Sequence, residues 1–188
     1  MLAQFLKKYP EVVFIVKLTF LFSVFYFGTD FWIGITAKGN YYSSFCDEYL
    51  NYVRWIRISI LKAAGVICSV FGYHTRIENT ISLRIINGIK INMVYSCIGI
   101  GVLSSWASFV IAYPSKLKRK IYWLFGGLLL IWMVNVIRIA ALLILFNKTR
   151  DINTFPNHHT AFNIIAYIIV LLLIYFYTKD KKQLAPIT

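Results

Sequence analysis

The chain has 188 residues, 59% hydrophobic and 18% aromatic, and carries a net charge of +13 from 20 Lys and Arg against 7 Asp and Glu. A water-soluble domain of this size has too little interior to hide that much apolar surface, so the composition points to a membrane protein. Excess basic charge then marks cytoplasmic loops and anionic head groups. With no zinc-finger spacing, RNA-binding signature or glycine-rich phosphate loop, nucleic acid is set aside as a partner.

In chain order, Lys7 and Lys8 precede an apolar run from about Val12 to Gly28. No small-residue cleavage site follows that run, which predicts an uncleaved first span. Lys17, early in it, can snorkel back to the same side. Asp47 to Tyr73 comes next. There Tyr49, Val53, Ile56, Ile60, Ala63, Ile67 and Val70 fall on one helical stripe, with Arg54, Arg57 and Lys62 opposite. That is the pattern of an amphipathic helix lying along the interface. Inserting it as a span would put the later basic loop outside, so it is read as interfacial, on the outer face. Cys46, Cys68 and Cys97 form no metal or redox pattern. Cys46 and Cys68 stand 22 residues apart, about 33 Å along a continuous helix, which is too far for a disulfide.

After this helix, Ile, Leu and Val alternate with polar residues on either side of Asn87-Gly88, the signature of a small β-hairpin. It runs directly into a second apolar segment, 95–113. Two more follow, 121–146 and 161–177, each near the ~20 residues needed to cross a bilayer. "SKLKRK" (Ser115 to Lys120) joins the second to the third, and "KDKK" (Lys179 to Lys182) follows the fourth. If these clusters and Lys7-Lys8 are all cytoplasmic, four spans fit with both termini inside. The expected fold is an all-α integral membrane bundle of about four transmembrane helices, with an outer interfacial helix and hairpin at about 47–94. No repeat or linker divides it, so 1–188 is one domain.

The same topology places reactive groups at one level. Cys97 lies 16 residues above Tyr113 and Arg138 lies 17 above Ile121, about 24 and 26 Å at helical rise. In a hydrocarbon core of ~30 Å both sit just under the outer surface. His158 and His159 open the fourth span at that height; His74, after the interfacial helix, reads as a surface residue. An intramembrane arginine costs about 2.5–3.5 kcal/mol on insertion scales and usually faces an interior cavity. No Asp or Glu lies in the second, third or fourth apolar segment. Arg138 must therefore use carbonyls, polar side chains, an outer-loop acid such as Asp151, or a group outside this chain. Snorkelling to outer lipid phosphates is the plainer alternative. Asn135 shares its helix face and either braces it or makes an ordinary interhelical hydrogen bond. Cys97 alone reads as a packed small residue; beside an arginine and a histidine it reads as a thiolate.

"CIGI" at Cys97–Ile100, "NVIRI" at Asn135–Ile139 and a histidine opening the last span resemble the exosortase/archaeosortase family of membrane cysteine transpeptidases. Its pattern is Cys-x-Gly-Ile/Leu, then Asn-x-x-Arg, then His, on successive segments near the outer surface. The resemblance covers roughly residues 79–178. It implies Cys97 as nucleophile, Arg138 as essential arginine and His159 as acid/base, with Asn135 and His158 in possible support. His159 is preferred because it places Asn163 and Tyr167 four and eight positions on; His158 would place Phe162 and Ala166 there, and the choice between them stays open. Asn163 stands where glycine is usual, and Ile98 where serine is common. The implied activity cleaves C-terminal sorting signals of membrane-anchored exported proteins through a thioester, without cofactor or metal. The implied partners are a substrate ending in motif, span and basic tail, the lipid bilayer and exopolysaccharide machinery. The implied location is the cell membrane, multi-pass, with the site at the outer face. Two other readings stand beside it: a non-catalytic module assisting exopolysaccharide export or assembly, and an integral enzyme acting on a lipid phosphate. The absence of paired carboxylates or a metal cluster in the spans weakens the second.

Overall fold

The structure, a computed structural model, describes residues 9–37, 39, 41–149 and 158–179, the side chains of 158–161 excepted. Helix α1 is Pro10–Thr36, with proline in its first turn where no N–H is needed. Two helices follow, α2 (Ser44–Tyr49) and α3 (Tyr52–Val70), then strands β1 (Thr75–Glu78), β2 (Ser82–Ile85) and β3 (Lys90–Asn92). A 3₁₀ turn, Tyr95–Ile98, leads into α4 (Ile100–Ala112), α5 (Leu117–Thr149) and α6 (His158–Lys179).

Among the described residues, three helices are long and apolar enough to cross a membrane: Pro10–Thr36, Leu117–Thr149 and Phe162–Lys179. The expected second span is a shorter apolar helix of 13 residues. Its first turn is tightened to 3₁₀ and broken from the helix by Gly99, whose φ is +80°. The first helix reaches eight residues past Gly28, carrying Asp30 with it.

The helical region after α1 departs from expectation in two ways. The continuous amphipathic helix is divided at Asn51, whose Oδ1 accepts the Arg54 N–H at 2.8 Å while its Nδ2 donates to Asp47 Oδ1 at 2.8 Å. That side chain starts a new helix, as N-cap asparagines do. The buried face of α3 is Val53, Arg57, Ile60, Leu61, Ala64 and Cys68. Arg57, expected on the polar side, is only 5% exposed, and Val70, expected on the stripe, is 79% exposed. The helix is rotated because it packs on α5 and the sheet, where Trp132 Nε1 donates to Ser59 Oγ at 2.9 Å.

The sheet is a three-stranded antiparallel meander in the order β1-β2-β3, not a lone hairpin. β2 and β3 pair around Asn87-Gly88 as expected, with Leu83 opposite Ile91. The unforeseen β1 turns back through Asn79 and Thr80, both at positive φ, so no glycine announces it. Arg84 Nε donates to Glu78 Oε1 at 2.8 Å across that pair. The meander is tied to α5 by Asn147, whose Oδ1 accepts the Ile89 N–H at 3.3 Å. One core joins α3, the sheet, the 3₁₀ turn and α5. A second, around Trp106, Val110 and Tyr177, joins α4, α5 and α6. There Gly127 admits the Trp106 ring directly against α5.

Candidate active site

The turn that carries Cys97 is fixed by two bonds. The Cys97 N–H donates to Val94 O at 2.9 Å, and Asn135 Nδ2 donates to Ile98 O at 3.0 Å. Gly99 is required here twice over. Its φ of +80° is strained for any side chain, and a Cβ would fall 2.8 Å from Asn135 Nδ2. The glycine of Cys-x-Gly and the asparagine of Asn-x-x-Arg therefore form one contact. Asn135 is a brace for the thiol turn as well as a neighbour of Arg138.

Arg138 is 6% exposed, with its guanidinium 5.4 Å from the centroid of the Phe162 ring. It lines a cavity of about 30 Å³, room for a water, together with Ser96, Gly99, Asn135, Phe162 and Asn163. The structure thus brings Arg138 to the residues flanking Cys97 and to the first described turn of α6. Cys97 itself is 6% exposed and packs in the core beside Met93 and Ile98. It does not line that cavity. His158 and His159 are the first two residues of α6, and their side chains lie outside the described residues, as does Asp151. Asn163, four positions after His159, and Phe162, four after His158, both line the Arg138 cavity. His74 is exposed just before β1, the surface position expected of it.

Three further features escaped the sequence. A cleft of about 530 Å³ between α1 and α6 shares Ser96, Gly99, Val102 and Asn163 with the Arg138 cavity. Phe22, Tyr26, Asp30 and Ile33 line it from α1 at helical spacing. That spacing was the available signal, hidden because an acid at the end of an apolar run looks like its boundary. Arg57 lies 4.4 Å from the Tyr95 ring centroid, and its Nε has no hydrogen-bond partner among the described residues. An apolar cavity of about 480 Å³ among α1, α3, α4 and α5 meets the site at Ile98 and Asn135. All three cysteines are free thiols. Burial pushes the Cys68 thiol above its ordinary range, because a low-polarity surround penalises the thiolate.

A family model described as transmembrane exosortase matches residues 12–176. The match extends through α1, well before residue 79, where the resemblance seen in the motifs began. Comparisons with curated proteins and with solved structures return no match. One continuous match thus takes in α1, the thiol turn, the Asn135–Arg138 face and nearly all of α6, and the chain belongs to the transmembrane exosortase family, membrane proteins of the cysteine transpeptidase kind.

Proposed function

We propose that this protein cleaves C-terminal sorting signals from membrane-anchored exported proteins, with Cys97 as nucleophile. The observation that carries the reading is the junction of Ser96 and Gly99, on either side of Cys97-Ile98, with Arg138 and Asn163 in one cavity. The Cys97 thiolate attacks the scissile carbonyl, and the peptide C–N bond breaks. His159 gives the leaving amine its proton, and the acyl group stays on sulfur as a thioester. Arg138 stabilises the oxyanion or holds the substrate backbone. His159 then takes a proton from the acceptor, whose nitrogen or oxygen bonds the acyl carbon as the C–S bond breaks, and the Cys97 thiolate is restored.

The membrane arrangement follows the positive-inside bias. Both termini and Lys116–Lys120 are cytoplasmic, and α2, α3 and the meander lie outside. The 3₁₀ turn of four residues and the 13 of α4 span about 28 Å together, close to the hydrocarbon thickness, which supports a fourth crossing in the cell membrane.

One observation favours a second reading. Cys97 packs in the core as an inert cysteine does, which suits a non-catalytic module assisting exopolysaccharide export. The experiment that decides is co-expression of a substrate bearing motif, span and basic tail with the Cys97→Ser protein. Loss of the substrate's size shift, with the protein still abundant in the membrane, supports the peptidase; normal processing defeats it.

A further inference from the structure

Asp30 stands in the last two turns of α1, exposed, and makes no hydrogen bond or ion pair among the described residues. Glu11 and Glu48 likewise form no side-chain ion pair, whereas two other described acids do. Asp47 pairs with Arg54 at 3.4 Å and Glu78 with Arg84 at 2.8 Å. Asp30 instead faces the 530 Å³ cleft, with Phe22, Tyr26, Tyr95 and Tyr167 also in its lining. The Tyr26 ring lies nearly parallel to Phe22 with centroids 5.5 Å apart, and its edge is 3.6 Å from where a Cβ on Gly101 would stand.

A carboxylate among aromatic rings is an environment for an organic cation. Ring faces attract ammonium groups, and the carboxylate adds charge and an acceptor for N–H. Arg57 opposes this from beneath Tyr95, but it is 5% exposed and does not line the cleft. Asp30 is the only charged side chain that does, among the described residues. The volume is that of a small-ligand site, and the shared wall of Ser96 and Gly99 sets whatever is held there against the thiol turn.

We propose that this cleft is the acyl-acceptor subsite, and that Asp30 recognises the acceptor as a primary ammonium group. The inference rests on the reading of Cys97 as the acyl-carrying thiol. The ammonium loses one proton to water at the cleft mouth, and its nitrogen attacks the thioester carbonyl. The C–N bond forms, the C–S bond breaks, and a second proton ends on the Cys97 sulfur. Thioester and ammonium thus give amide, thiol and one released proton. A quaternary ammonium has no N–H to offer and no lone pair to free, so it is no acceptor. An aminolipid head group and a peptide amine both supply the primary group.

The test begins with binding, which needs no chemistry. Full-length Cys97→Ala protein in neutral maltoside detergent is titrated with dansylcadaverine. Saturable binding is expected, weakened about tenfold by Asp30→Asn, the scale of one charge-assisted hydrogen bond, and largely kept by Asp30→Glu. Competition by lysophosphatidylethanolamine identifies a lipid acceptor, and competition by a lysine tripeptide a peptide one. Equal binding by the Asp30→Asn protein, or equal competition by choline, overturns the assignment. With the active protein and a tail-bearing substrate, the ratio of dansyl amide to free acid should fall about tenfold in Asp30→Asn; an unchanged ratio also overturns it. Asp30-dependent binding together with normal processing by Cys97→Ser would instead sink the thiol reading while leaving the ammonium site in place.

Discussion

Gly99 and Asn135 illustrate how much one residue can fix. Gly99→Ala places a Cβ both in a left-handed backbone and against an amide nitrogen 2.8 Å away, so about 1–2 kcal/mol of backbone strain adds to the clash. Asn135→Ala leaves the Ile98 carbonyl without this donor, a loss on the scale of about 1–3 kcal/mol if no water replaces it. Both variants should insert in the membrane yet lose most substrate processing, and a size-shift assay at matched protein level checks it. Unchanged processing by either would show that the turn does not need this clamp. Arg138→Lys should also fail if planar, forked hydrogen bonding is required, and survive if charge alone suffices. For the acid/base, His159→Ala should lower the rate by about 10²–10⁴ and His158→Ala far less. The reverse order would reassign the role. Cys97, Asn135 and Arg138 were legible as a set because their types and spacing are distinctive. Asp30 was not, since only the three-dimensional packing of α1 on α4 beside α6 reveals that the acid faces a cleft.

At the scale of elements, the rotated α3 shows where periodicity misleads. The apolar stripe and the polar face were both real patterns, but Arg57 is buried against an aromatic ring, which pattern reading scores as solvent-facing. The β2-β3 hairpin was legible from Asn87-Gly88, whereas β1 was missed because its turn uses Asn79 and Thr80 at positive φ. Packing gives two predictions. Gly127→Leu should force α4 and α5 apart at Trp106 and lower the melting temperature in detergent; an unaltered midpoint would deny the close approach. Thiol labelling tests α3 and the 3₁₀ turn together. The raised thiol of Cys68 means that little thiolate exists near neutral pH, so its labelling should accelerate only as pH climbs past the ordinary cysteine range. Cys97 should react faster than Cys46 or Cys68 near pH 7, and equal or slower labelling would return it to a packing role.

For the molecule as a whole, hydropathy made the class of protein plain, and among the described residues three helices meet the length and composition needed to cross. The proposed fourth crossing was legible as an apolar run, but not as a 13-residue helix broken from its first turn by Gly99. Orientation is tested by labelling an engineered cysteine in the meander, best placed at Lys90, an exposed strand residue just after the Asn87-Gly88 turn. Impermeant reagent should reach it from outside the cell. Protection there, with labelling of residues 116–120 at the start of α5 instead, would invert the protein and remove the site from the outer face.

The two asparagines of α5 have a further consequence. Asn135 grips Ile98 O and Asn147 grips Ile89 N–H, so both ends of the segment from Ile89 to Ile98 are pegged to one rod, at points about 18 Å apart. The rod acts as a depth gauge: the meander above and the thiol turn below keep a set spacing whatever the lipids around them do. Adding one residue between the pegs swings them about 100° out of line, and adding seven restores the bearing to within about 20° but stretches the interval by about 10 Å. Loss of processing in both insertions would make spacing the guarded quantity, whereas activity in the seven-residue insertion would leave bearing alone as the requirement.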